Sequence, residues 1–369
     1  MVNIKRIITA ALLLCAVFAK GQDAPQRTVL WQANEDTILA HFVYGLAVTD
    51  KGTILALAEA RISAKDDGAH HIALRRSTDG GNTFSPSKLL LISTNGQCWG
   101  NPTIVQDRKT KELFLFYALN HHNDSSQVFF MTSKDDGLTW SGATEITRLF
   151  DGSPHGWTFH LPGPGHGIQL KNNRLMVQVW HRRSISFVAA ERKYGVNCIY
   201  SDDHGKTWKL GGDTPVGEFN ESQIVEKKNG DVLMVARTIT SQGGSFQARA
   251  ISKDKGASWS SPIEYDKGLT GTVCDIGLTR YSLKPNILLV SQPAYPNKRR
   301  DLTIRLSRDE GKTWPVSKLL QEGSATYSDL AVLPDKSIIC LYGHGGGTHM
   351  PDTVSLVRFS LQWLMDNSK

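Results

Sequence analysis

Five copies of one short turn constrain this chain more than any other feature. The pattern is Ser-x-Asp-x-Gly-x-Thr-Trp, found at 77–84, 133–140, 201–208, 252–259 and 307–314, with Phe84 in place of Trp in the first copy and Ser258 in place of Thr in the fourth. Their first residues lie 56, 68, 51 and 55 positions apart. A repeat of that length is close to one blade of a β-propeller, a unit that cannot bury its apolar faces alone and must stack on its neighbours. Six units of roughly 57 residues fill the chain from residue 23 to residue 369. The expected architecture is therefore all-β, a six-bladed β-propeller with Asp-box turns.

The composition of the turn follows from its geometry. The Asp carboxylate accepts from backbone N–H groups just downstream, the Gly supplies a positive φ, and the terminal aromatic packs over the hairpin. Between the turns stand short apolar runs bounded by Gly, Asn or Asp, such as Thr53-Ile54-Leu55-Ala56-Leu57-Ala58, Leu113-Phe114-Leu115-Phe116-Tyr117 and Val232-Leu233-Met234-Val235-Ala236. These read as strands. Five repeated turns at blade spacing are scaffold, so their aspartates take no catalytic role. The last apolar segment, Val354 to Leu361, is expected to close the ring against an N-terminal strand, because a propeller leaves only short, protected edges.

The chain opens with Lys5 and Arg6, an apolar run from Ile7 to Ala19, and Lys20-Gly21-Gln22. That order is an export signal over residues 1–22, too short to span a membrane, and it implies a periplasmic or extracellular protein with no integral membrane segment after cleavage. Cys15 follows Leu12-Leu13-Leu14; the missing small residue disfavours a lipid anchor there. Cleavage removes Lys5, Arg6 and Lys20 and no acid, leaving a net charge of about +4 from +7. The remaining basic residues are scattered apart from Arg182-Arg183 and Lys298-Arg299-Arg300. Nucleic-acid binding, which shows a basic stripe, is not expected. Cys98, Cys198, Cys274 and Cys340 lack CxxC spacing, so no metal site is expected, and strand contexts such as Asn197-Cys198-Ile199-Tyr200 favour buried free thiols over a disulfide.

Polar residues that interrupt the strands carry the chemistry. Glu59-Ala60-Arg61-Ile62-Ser63-Ala64-Lys65-Asp66-Asp67, Asn220-Glu221-Ser222-Gln223 followed by Asp231 to Arg237, Arg299-Arg300-Asp301-Leu302-Thr303 and Ala325-Thr326-Tyr327-Ser328-Asp329-Leu330 stand in that order. Together with Gly163-Pro164-Gly165-His166-Gly167-Ile168-Gln169-Leu170, they resemble the segments of the bacterial exo-α-sialidase (neuraminidase) family across nearly the whole chain. The resemblance implies that Asp66 is the acid/base, Tyr327 the nucleophile and Glu221 its base. It also implies that Arg237 and Arg299 bind the substrate carboxylate, and that Arg61 and Glu59 are substrate-binding residues as well. Arg299 and Arg300 alternate in direction along a strand, so only one of them reaches the site.

The residue types suit such a reaction. Sialidases depart from other retaining glycosidases by attacking with a tyrosine. A sialic acid carries a carboxylate on its anomeric carbon, which repels an anionic nucleophile and spares a neutral phenol. The phenol, with a pKa near 10, needs an adjacent base. A guanidinium fork matches the substrate carboxylate in two bonds. No cofactor is implied; the expected partner is a glycoconjugate or oligosaccharide ending in an acidic sugar.

One departure from the family stands out. A third carboxylate-binding arginine is expected about twenty residues before Arg61, where this chain reads Ala40-His41-Phe42-Val43-Tyr44. Depending on a one-residue gap, its place falls to His41 or Phe42, and His41 is the expected partial substitute. Two alternatives follow: an enzyme of the same mechanism acting on another terminal sugar such as a different ulosonic acid, or a glycan-binding propeller without turnover. The retained Asp66, Glu221 and Tyr327 speak against the second.

Overall fold

Long strands buried on both faces are what the continuous apolar runs produce. The structure, a computed structural model, describes residues 24–184, 193–239, 246–346 and 350–366; the expected export signal and Cys15 lie outside them. The first antiparallel unit comprises Ala40–Val48, Ile54–Arg61, His70–Ser77 and Lys88–Leu91. The second comprises Cys98–Gln106, Leu113–His121, Ser125–Ser133 and Thr144–Glu145. In the third, Phe159–Pro162 and Ile168–Gln169 share the inner position beside Leu175–Arg182, followed by Gly195–Ser201 and Lys209–Leu210. The fourth runs Phe219–Glu226, Val232–Thr238, Phe246–Ser252 and Glu264–Thr270.

One long strand, Val316–Val332, serves two units. Its first half pairs with Arg300–Ser307 and completes a fifth unit with Gly277–Leu283 and Asn286–Pro293. Its second half begins a sixth, paired with Ile338–His344 and then Thr353–Phe359. The outer strand of that sixth unit is Gln26–Gln32 from the N-terminal end of the described chain, antiparallel to Thr353–Phe359. The inner strands touch in a cycle that returns from Val316–Val332 to Ala40–Val48.

The apolar core is divided in the same way. Leu55, Leu57 and Leu74 of the first unit pack on Leu113, Leu115 and Tyr117 of the second. Val105, Phe114 and Phe116 of the second pack on Leu175, Val177 and Trp208 of the third. Corresponding clusters join each later pair, and the last joins Leu341 and Leu356 of the sixth unit to Phe42, Ile54 and Ala56 of the first. Apolar area thus leaves water between sheets, and the middle of the ring gathers charged and polar side chains together with a few aromatic rings.

All five turns repeat one hydrogen-bond set. In the third, Ser201 Oγ donates to Asp203 Oδ1 (2.8 Å) and accepts from Gly205 N (2.8 Å), while Thr207 N and Oγ1 donate to the carboxylate at 2.9 and 2.7 Å. The donors favour the charged form, and Asp203 is lowered to about 2, led by the Thr207 hydroxyl. Two consecutive residues take positive φ, His204 at 64° and Gly205 at 83°, one more than the sequence pattern suggests. Each turn glycine rests on the preceding unit: Gly137 on Leu55, Gly205 on Phe114, Gly256 on Met176, Gly311 on Leu233 and, across the ring closure, Gly81 on Leu356. The sixth unit lacks the turn because its third and fourth strands come from opposite ends of the chain and share no hairpin. A Cβ on Gly205 would fall 2.1 Å from Phe114 Cζ at a left-handed φ. Gly205→Ala is therefore expected to lower unfolding stability by about 2–4 kcal/mol, combining backbone strain with overpacking. Urea denaturation checks this; a loss under about 0.5 kcal/mol, typical of a surface change, would contradict the packing described.

Candidate active site

Side chains reach the centre of the ring because the inner strands are bulged at one end. Register slips between Phe42 and Tyr44, between Gly100 and Thr103, between Phe219 and Ser222, and between Ala325 and Ser328. A bulge re-aims the side chains around it. Here the slips release Val43 (φ 53°), Asn101 (φ 57°), Asn220-Glu221 and Thr326-Tyr327 from regular alternation. Around them opens a cavity of about 590 Å3, lined by Phe42, Glu59, Arg61, Asp66, Glu221, Arg237, Arg299 and Tyr327 among others.

One wall is a hydrogen-bonded triad. Tyr327 Oη donates to Glu221, 2.7 Å from Oε1 and 2.6 Å from Oε2, and accepts from Arg237 Nη1 at 2.6 Å. Arg237 Nη1 also binds Glu221 Oε2 closely. Burial raises the phenol well above its usual value, despite the opposing charge of Arg237, so Tyr327 is neutral here. Arg237 Nε is buried without a partner among the described residues. Arg299 uses Nε on the Val273 carbonyl (3.2 Å), and its guanidinium lies 5.2 Å from the centre of the Tyr327 ring. Both guanidiniums keep donors that can serve an anion in the cavity. Arg300 turns away, bonding Asp301 at 3.0 Å and covering Tyr295.

The opposite wall pairs two carboxylates with one guanidinium. Arg61 donates through Nε and Nη2 to Glu59 Oε2 (2.9 and 2.7 Å) and through Nη1 to Asp66 Oδ1 (2.7 Å). Glu59 Oε1 takes the Asn101 backbone N–H at 3.0 Å. Burial raises Glu59 above the ordinary carboxylate range. For Asp66 the surrounding protein pulls upward even though the side chain itself is largely exposed, but the charge and hydrogen bond of Arg61 prevail and hold it low. Glu59 and Arg61 line the cavity, yet their bonds are directed at each other and at Asp66, so they shape the site more than they offer it donors.

His41 does not enter the cavity, contrary to the expectation from sequence. In the strand register Phe42 stands opposite Glu59 and His41 opposite Ala60. Directly paired residues share a face, so Phe42 joins Glu59 and Arg61 while His41 points the other way. There it stacks on Trp31 (5.0 Å between centroids), and burial lowers it to about 3. Phe42 occupies the centre instead, 4.6 Å from the Tyr327 ring, with Arg61 and Arg299 4.9 and 6.0 Å from its own.

The cavity also contains residues that sequence reasoning missed: Asn101, Asn120, Asn123, Phe159, Trp180 and Arg182. Only Asn101 carried a signal, as an Asn before Pro102 inside an otherwise regular strand. Asp275, buried near Glu221 and Asp329, was missed as well; burial, then those two charges, raise it well above the carboxylate range. Among the described residues no group of three or more His, Cys, Asp or Glu is disposed around a metal position, no helix is long and apolar enough to cross a membrane, and Cys98, Cys198, Cys274 and Cys340 are buried free thiols.

Residues 52–340 match the family described as a BNR repeat-like domain. A sialidase of Micromonospora viridifaciens is 32% identical over 86% of this chain, which spans about half (51%) of that protein's length. Sialidase-2 of Mus musculus is 30% identical, with 79% of this chain and 86% of that protein aligned. Among solved structures, the Hadza microbial sialidase Hz136 superposes with a TM-score of 0.78 at 26% identity, over 89% of this chain and 67% of that one.

Proposed function

This chain belongs to the sialidase family, and on that premise we propose that it is an exported retaining exo-sialidase, releasing a terminal acidic sugar from glycoconjugates through Tyr327. The observation that carries the reading is the Tyr327–Glu221 pair at 2.6–2.7 Å beside Arg237. Glu221 takes the phenol proton as Oη bonds to the anomeric carbon, and Arg237 Nη1 stabilises the developing phenolate. As the glycosidic bond breaks, its electron pair goes to the leaving oxygen, which Asp66 protonates from its acid form, the minor form because Arg61 holds the carboxyl low. Asp66 then accepts a proton from the water that attacks the anomeric carbon, and as the bond to Tyr327 Oη breaks, the phenol recovers its proton from Glu221. Arg237 and Arg299 hold the sugar carboxylate. The signal over residues 1–22 supports action outside the cytoplasm.

Phe42 favours a second reading of the substrate. An aromatic ring offers no hydrogen bond to a carboxylate, and one bond to a charged group contributes about 1.5–3 kcal/mol. Either a sialoside is held by two arginines alone, or the pocket has been fitted to another ulosonic acid whose apolar face lies on Phe42. Phe42→Arg separates them. A two-arginine sialidase gains about 10-fold or more in kcat/KM on a sialoside. No gain, together with faster wild-type turnover of a different acidic glycoside, assigns the site to the other sugar.

A further inference from the structure

The loop that carries Asp66 supports one more inference, which rests on the sialidase reading above. Asp66 projects outward, its side chain 82% exposed, whereas a general acid must sit within hydrogen-bond reach of the leaving oxygen. The loop backbone is held from beneath. Lys65 C=O accepts from His70 Nε2 at 3.0 Å, and Asp66 C=O accepts from Asn120 Nδ2 at 3.3 Å. Cys98 Sγ lies 3.4 Å from that same Asp66 oxygen and 3.4 Å from His70 Nδ1.

The proton placement is dictated by the partners. A carbonyl only accepts, so His70 carries its hydrogen on Nε2 and presents Nδ1 as an acceptor. Burial, with the charge of Arg61, lowers His70 to about 3 and keeps it neutral. Burial likewise keeps Cys98 a thiol, which has a proton to donate. His70 and Cys98 are 1% and 3% exposed and face each other across the one parallel contact that joins the first unit to the second. Asn120 is the register partner of Cys98 on the next strand.

We propose that Cys98, His70 and Asn120 are positioning residues that fix the Asp66 carboxyl for protonation of the leaving group. They act through the backbone of residues 65 and 66. The test compares kcat/KM on two substrates, a sialyl oligosaccharide whose alkoxide must be protonated and an aryl sialoside whose acidic phenol leaves unaided. Because a misplacement of about 1 Å costs on the order of 10²-fold, Cys98→Ala and Asn120→Ala are each expected to lose at least about 10-fold on the oligosaccharide. Both side chains line the cavity, so the readout is the ratio of the two substrates: the loss on the aryl sialoside should be at least about fivefold smaller than on the oligosaccharide, since that bond cleaves without the acid. Cys98→Ser, whose hydroxyl donates where the thiol did, should recover most of the oligosaccharide rate. Asn120 is only partly buried, so its variant keeps the test open if the Cys98 pocket tolerates no change. An equal fall on both substrates, or none on either, overturns the proposal. Wild-type protein inactive on both sialosides defeats the sialidase reading itself, and that result precedes any variant.

Discussion

Tyr327→Phe is expected to lower kcat/KM on a sialyl oligosaccharide by at least about 10³-fold, since deleting a nucleophile that works as a unit with its base costs up to about 10⁶-fold. The fold should survive. Phe keeps the ring packed 4.6 Å from Phe42 in its tilted arrangement, and loss of the hydroxyl leaves Glu221 and Arg237 still paired with each other. No buried charge is stranded, so the stability change stays near the 1 kcal/mol of an ordinary hydrogen bond. Steady-state kinetics and thermal melting check the two halves separately. A variant that folds and retains a tenth of the wild-type rate would remove tyrosine attack from consideration.

Glu221→Gln should fall next, by about 10²–10⁴-fold, the range for loss of a positioned general base. Its effect on stability should exceed that of Tyr327→Phe, although the change conserves shape. The amide cannot neutralise Arg237, whose side chain is 18% exposed, and leaving a largely buried charge without its partner costs more than losing a neutral bond. The ordering of the two melting temperatures is therefore informative in its own right. If Glu221→Gln melts at or above Tyr327→Phe, the carboxylate does not balance Arg237 in solution, and the base assignment loses its structural support.

The one expected site residue that lies elsewhere shows where sequence reading stops. His41 and Phe42 were equally placed by spacing, because a single-residue gap separated the two alignments. Strand alternation makes that gap decisive, and the bulge at Val43 is invisible in the residue pattern. Tyr327 and Glu221 posed no such difficulty: their flanking residues leave no doubt which positions are meant, and the fold had only to bring strands about a hundred residues apart to one end of the ring. The partnership of Glu59 with Arg61 was equally hidden, since two charged residues two positions apart on one strand face read the same whether they serve a substrate or each other.

What the sequence determined by itself was the repeating unit. The turn chemistry is local, each Ser, Asp, Gly and Thr bonding within eight residues, and the apolar runs between turns read as strands. Closure and site geometry were decided by tertiary structure. Gln26–Gln32 completes the sixth unit through pairing with Thr353–Phe359, and four inner-strand bulges gather at one end to turn Phe42, Asn101, Glu221 and Tyr327 inward. Both depend on contacts far apart in the chain, where register is set by how neighbouring sheets pack and not by the order of residues along any one strand.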